Sequence, residues 1–327
     1  MKHIIIILLV GSFWLCKATN FAEQQAAKNT PDTVKIGTYI MNIYDINFKD
    51  KEYSIKFWVW MKYKNPVIDF ANTIEIPGSK NIDKPDIMNY VDSTTGEILT
   101  LMKVNCVINQ SWSVEDYPFD EQKLNLRIEN NKYDTRYVVF VKDKNNGELF
   151  DPLFNVDGWK LNNHKQFIDS HTYKSNFGDE SLLPSTKSNY ATYNLEFEIG
   201  REASGLFLKL FVGMYIAFLI SCVSFLIHAD HAEPRFSLPV GALFAAVGNK
   251  YIIDSILPES NSFTLVDTLH TLTFISIFVT ITISSLSLIF YGNNNLDKSN
   301  KFDKWGGIIS ISIYVMLNII FISKAMQ

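Results

Sequence analysis

The sequence predicts an all-β sandwich standing on an all-α base of four membrane-spanning helices. Three observations carry that reading. Residues 19–201 are polar, aromatic-rich and cut into short segments of alternating character. Residues 202–327 hold four apolar runs with little between them, and residues 1–18 are built like a secretory signal. Within the base the second apolar run is unlike the others, because serine, glycine and aromatic residues are spaced through it.

By length the 327 residues could hold two domains, and a mean hydropathy near zero averages two unlike halves. A net charge of −4 supplies no basic face, so nucleic acid is not an expected partner. In the signal, Lys2 precedes the apolar run 4–10 and Phe13-Trp14-Leu15, and Cys16-Lys17-Ala18 offers a small–x–small cleavage site. A lipoprotein cysteine at Cys16 is the alternative, which the bulky Phe13-Trp14-Leu15 suits poorly. A signal puts the next ~180 residues outside the cytoplasm. After cleavage Cys106 and Cys222 remain, one in each half, so no disulfide is expected and both read as buried small hydrophobes.

The clearest strands cover 34–43, 52–63, 98–108, 123–129, 136–142, 158–161 and 190–201. Residues 54–63 and 123–128 alternate in part, as a strand does with one face on a core and one in water. Lys144-Asn145-Asn146-Gly147 and Asp151-Pro152 supply turns. Many short antiparallel strands over such a length make a β-sandwich. There is no Gly-x-Ser-x-Gly, no metal-spaced histidine pair and no Gly-rich phosphate loop. His164 and His171 read as exposed residues in loop-like sequence. Neither an enzyme nor a cofactor or metal centre is expected.

Runs 205–227, 236–257, 263–291 and 305–323 each have the roughly 20 residues that a bilayer crossing takes. With the first domain outside, connections 228–235 and 292–304 lie inside and 258–262 outside. Arg235, Lys298, Lys301 and Lys304 fall on inside connections and no basic residue on the outside one, as the positive-inside rule requires. At 100° per residue, Glu233, Ser237, Gly241, Phe244, Gly248, Tyr251 and Ser255 share one stripe of the second span, with Asn249 and Lys250 well off it. Two readings stand: small residues that let helices approach, or the lining of a water-filled path from Glu233 at one mouth to Asp254 near the other. With a helix start at Arg235 or Phe236, Pro239 falls in the first turn, where proline is tolerated.

The segment Val114-Glu115-Asp116-Tyr117-Pro118-Phe119-Asp120-Glu121-Gln122 resembles the Phe-Pro-Phe-Asp-x-Gln signature of pentameric ligand-gated ion channels, the Cys-loop receptor superfamily. The bracketing cysteines would fall at Gln110 and Leu124 and are absent, as in prokaryotic members. Lys84-Pro85-Asp86-Ile87 with Tyr90 resembles the first ligand-binding loop, Tyr63-Lys64-Asn65 sits where the family has Trp-x-Asp, and Gly158-Trp159 matches a Gly-Trp before the late strands. Arg201 stands at the arginine before the first span, Glu233 at the inner acidic position, and Asp254 with Leu257-Pro258 at the outer end of the pore helix. The likeness covers nearly the whole mature chain. It departs at the first span, which has no proline (Leu208 and Gly213 stand near the family position), at Asn131, where a tryptophan is usual, and at Phe244, where leucine or isoleucine is usual.

The resemblance implies an immunoglobulin-like sandwich for the outer domain and a homopentameric, ligand-gated cation channel in the cell membrane, the inner membrane with a periplasmic domain in a Gram-negative source. Five Glu233 side chains would ring the inner mouth and favour cations; Phe244, with Tyr251 above it, would close the resting pore. A small-molecule, proton or divalent-ion agonist would bind between subunits, against Tyr90, Tyr133, Tyr173 and Phe177 of one and Trp58 or Trp60 of the next. Aromatic faces suit an amine. Asp120, Arg201 and Asp50 would couple the domains. His228 and His231 around Asp230, and His270 one turn after Asp267, raise a pH reading. The alternatives are a non-conducting receptor with the same fold, signalling through partners, and a transporter, for which inverted repeats and broken helices are missing.

Overall fold

The computed structural model describes residues 30–144, 147–175, 177, 187–259 and 262–326; the signal and Cys16 lie outside them. The first region consists of two sheets. One has the order β4-β5-β2-β1-β7, from β1 (Asp32–Asn47), β2 (Glu52–Tyr63), β4 (Ser79–Val91), β5 (Ile98–Asn109) and β7 (Val138–Lys142). The other has the order β3-β6-β9-β8, from β3 (Ile74–Glu75), β6 (Glu121–Asn130), β8 (Trp159–Tyr173) and β9 (Ser188–Arg201). Neighbours are antiparallel except β1 and β7, which run parallel.

The interior strands obey period two. On β2, Phe57, Val59 and Met61 are buried while Lys56, Trp58, Trp60 and Lys62 turn to the other face; on β6, Leu124, Leu126 and Ile128 are buried. These join Val34 and Ile36 of β1, Val104 of β5 and Leu195 and Phe197 of β9 in one core shared by both sheets. Two hydroxyls cross that core: Tyr193 on β9 meets Thr38 Oγ1 on β1 at 3.0 Å, and Tyr53 on β2 donates to the Asn125 carbonyl on β6 at 3.0 Å. Cys106 and Cys222 are both buried and unlinked, as expected.

Two strands differ from the sequence reading. Residues 79–91 form β4, so Lys84-Pro85-Asp86-Ile87 is strand, and β8 runs on to Tyr173, so His164 and His171 are strand residues. Both are edge strands, mostly exposed, and an edge strand needs no apolar alternation and tolerates charge and proline. Pro85 falls within the register shift between Asp83 and Asp86.

Four helices follow, each long and apolar enough to cross a membrane: α1 (Ala203–Val223, prolonged by a 3-10 turn Ser224–Leu226), α2 (Ala232–Asp254), α3 (Leu265–Gly292) and α4 (Leu296–Ala325). They mark the chain as a membrane protein. Two starts move. Helix α4 begins nine residues before the expected Trp305, which places Lys298, Lys301 and Lys304 on its first turns and leaves only Asn293-Asn294-Asn295 as the connection. Hydropathy reports where a bilayer would begin, whereas lysine and aspartate continue a helix beyond it. Helix α2 begins at Ala232, so Pro234 occupies the first turn and Pro239 lies in the interior, where its ring nitrogen leaves the Arg235 carbonyl without an intrahelical donor.

Removing the hydroxyl that joins the sheets leaves Thr38 buried without its partner. Tyr193→Phe is expected to destabilise the chain by about 1–2 kcal/mol, read as a lower melting temperature of the detergent-solubilised protein.

Candidate functional site

Three places gather several of the residues singled out by sequence: the seam between sheets and helices, the uncovered face of α2, and an aromatic cluster on the four-stranded sheet.

At the seam, Arg201 ends β9 two residues before α1 begins, and Asp120 precedes β6. The guanidinium forks onto the carboxylate, Nε to Oδ1 at 2.7 Å and Nη2 to Oδ2 at 3.2 Å, while Gln122 Nε2 donates to Oδ2 at 2.7 Å. The Asp120 side chain is 2% exposed, and the carboxylate therefore has donors in place of the water it lost. Around the cation stand three rings, with centroids 4.0 Å (Trp159), 4.7 Å (Phe48) and 4.9 Å (Tyr117) from the guanidinium carbon. Asp50 is not part of this group: its carboxylate accepts from Asn47 Nδ2 within the β1–β2 turn. The first hairpin contributes Phe48 instead. Sequence reading assigned no role to Phe48, Tyr117 or Trp159, although the resemblance marked the positions of the last two.

Directly beyond, Tyr117 and Phe119 flank a cis Pro118 and enter the top of the helices. Tyr117 is buried with Phe211, Met214, Ile253, Leu265 and Leu269, and Phe119 packs on Phe207 at 5.5 Å. The Glu115 carbonyl accepts from the Leu265 amide at 2.7 Å, and the Thr264–Asp267 capping box satisfies the neighbouring donors of α3. One loop thus grips α1 and α3 together.

On α2, Arg235, Pro239, Ala242, Ala246 and Ile253 face the other helices. All seven stripe residues, Glu233, Ser237, Gly241, Phe244, Gly248, Tyr251 and Ser255, are exposed, with Phe244 at 72% and Tyr251 at 77%. A Cβ added at Gly241 or Gly248 would meet nothing within 4 Å, whereas one at Gly306 or Gly307 of α4 would press on Ile283 or Phe225. Helix approach within the chain therefore explains the α4 glycines and not those of the stripe. Helix α4 is also largely uncovered, but between Ile308 and Phe321 its exposed residues are apolar except Ser312, as lipid contact requires. Asp254 is held by Lys250 at 2.7 Å, and Lys250 also reaches Asp267 on α3 at 2.8 Å.

On the four-stranded sheet, Tyr173, Phe177 and Tyr190 form a trio with centroids 5.5, 5.7 and 6.4 Å apart, and His171 lies 4.5 Å from Tyr173. Beneath them Glu129 accepts the Tyr173 hydroxyl at 2.9 Å and faces Arg127 at 2.8 Å. Burial holds the Glu129 carboxyl above its ordinary range, with Tyr173 and Arg127 opposing it, and burial with the bond to Glu129 pushes the Tyr173 phenol up to about 12. The other expected wall residues are not gathered here. Tyr133 is buried in the shared core, and Tyr90 stands exposed on the edge strand β4 with its hydroxyl on Met88 Sδ. Trp58 and Trp60 lie on the far face of β2, under Lys103 and bonded to Asp143 respectively.

His228 bonds Asp230 at 2.7 Å in the loop before α2, with His231 3.8 Å from the same carboxylate. His270 is fully buried between the Val266 carbonyl and Asn249. No group of three or more metal-ligating side chains occurs among the described residues.

No family model matches the chain, and no curated protein matches it either.

Arg201→Ala leaves Asp120 charged and unpaired among aromatic rings, an expected loss of about 3–5 kcal/mol. Arg201→Lys restores charge without the fork or the ring stacking, so its melting temperature is expected nearer that of the alanine variant than of the parent. A lysine variant as stable as the parent would show that charge alone matters.

Proposed function

We propose that the chain is one subunit of a homopentameric, cation-selective ligand-gated ion channel resembling prokaryotic members of the Cys-loop receptor superfamily. In this reading its sheets form an immunoglobulin-like sandwich outside the cell membrane and α2 lines the pore. The observation that carries the reading is the uncovered stripe of α2. A face that mixes a carboxylate, two serines, two glycines and two rings suits neither lipid nor the chain's own core. Five such faces around an axis enclose one aqueous path, with Glu233 at its inner mouth to draw cations.

The seam supports the same reading, since it joins the sheets to α1 and α3 through side chains and a main-chain hydrogen bond. The trio Tyr173, Phe177 and Tyr190, backed by the buried Glu129, offers aromatic faces to an amine agonist, with Trp58 or Trp60 of the next subunit opposite. A receptor that signals without conducting is disfavoured by the three-residue connection from α3 to α4, which leaves no domain between those spans.

Reversal potentials of the reconstituted protein across a potassium chloride gradient test the proposal, with amines and pH steps as stimuli. The expected potential lies toward the potassium equilibrium value. An anion-selective wild type would overturn the Glu233 assignment, and a folded pentamer silent to every stimulus would favour the receptor reading. Phe244→Ala is expected to raise the resting leak, because a dry apolar ring no longer closes the path. Unchanged leak and gating would remove Phe244 from that role.

A further inference from the structure

Arg235 sits two residues after Glu233 on α2, and by sequence it counts among the basic residues of the inside connections. It is fully buried. One guanidinium ties three elements: Nη2 donates to Asp303 Oδ1 of α4, Nη1 donates to the Ile227 carbonyl just after the 3-10 turn at 3.1 Å, and the stem belongs to α2. Asp303 is itself 7% exposed. The close approach of α4 at this level is built in, because Gly306 and Gly307, within four residues of Asp303, leave room that a Cβ would fill against Ile283 and Phe225.

The consequence is one of sign. The first turn of α2 carries one acid, Glu233, and one base, Arg235, so a ring of five first turns would be neutral by formal charge. It can attract cations only if Arg235 is turned away and neutralised. We propose that Asp303, on the outermost helix and away from the ion path, is a specificity-determining residue of the pore: it cancels and retains Arg235, leaving Glu233 to set the sign of the inner mouth. The inference rests on the channel reading above.

A purely structural salt bridge would alter stability and leave selectivity alone, so the measurement is the reversal potential of the full chain in liposomes across a potassium chloride gradient. Four proteins are compared: wild type, D303N, R235Q and the double variant R235Q/D303N. D303N exposes the mouth to an uncancelled cation in every subunit, and its cation-over-anion permeability ratio is expected to fall about twofold or more, the effect of one unit charge within roughly 10 Å in water-like surroundings. R235Q removes the cation and frees the Asp303 carboxylate, so its ratio equals or exceeds that of the wild type. The double variant strands no ion and returns to the wild-type ratio, which keeps the test available if D303N assembles poorly. A D303N channel with unchanged selectivity, a lowered ratio in R235Q, or a double variant as impaired as D303N would each overturn the inference. A cation-selective wild type beside any of these leaves the channel reading standing, whereas a silent or anion-selective wild type sinks both.

Discussion

The Arg201–Asp120 fork is the interaction on which the rest of the molecule hangs. Only Glu202 separates Arg201 from α1, so whatever fixes this side chain fixes where the last strand hands over to the first helix. Three rings, from the β1–β2 turn, the loop before β6 and the start of β8, surround the guanidinium, and Tyr117 is also a member of the core at the helix tops. The cation is therefore shared between two hydrophobic clusters, one in the sheets and one at the helix tops. A planar guanidinium can bond in its plane and stack on its faces at once, which an ammonium cannot.

Much of this was legible in the sequence, and the illegible parts have physical causes. Interior strands such as β2 and β6 announce themselves because one face must be apolar. The edge strands β4 and β8 do not, because nothing requires their outer residues to be. The stripe on α2 is visible from its period alone. The burial of Arg235 is not visible in the sequence, because its counter-ion lies 68 residues later on another helix. Asp120, Arg201, Tyr117 and Trp159 all stand at positions marked by the resemblance, yet the enclosure of the guanidinium by rings, Phe48 among them, is not legible from it. Asp50 is expected where Phe48 stands because the resemblance implies an acid from the first hairpin, and in this chain that hairpin supplies a ring instead.

All four helices leave faces uncovered, and the contrast between α2 and α4 is informative. On α4 the exposed face is what a hydrocarbon solvent selects. On α2 it mixes small residues, rings and a terminal charge, the mixture that the proposed pore would use. The buried faces of both helices are anchored by polar contacts, Arg235 with Asp303 on one level and Tyr314 with Thr273 on another, so neither helix is free to roll and exchange its faces.

The connection from α3 to α4 has a mechanical consequence. Three asparagines, the middle one in a left-handed conformation with φ 57°, span the gap between two packed helices. The turn is closed by its own main-chain bonds, the Asn294 amide donating to the Tyr291 carbonyl at 2.9 Å and the Asn295 amide to the Phe290 carbonyl at 3.0 Å. A slide of one helical turn, about 5.4 Å, along the shared interface would have to break them. Helices α3 and α4 must then travel as a single rigid hairpin, and any relative motion in the bundle falls to α1 and α2, which are joined by the looser stretch between the 3-10 turn and Ala232.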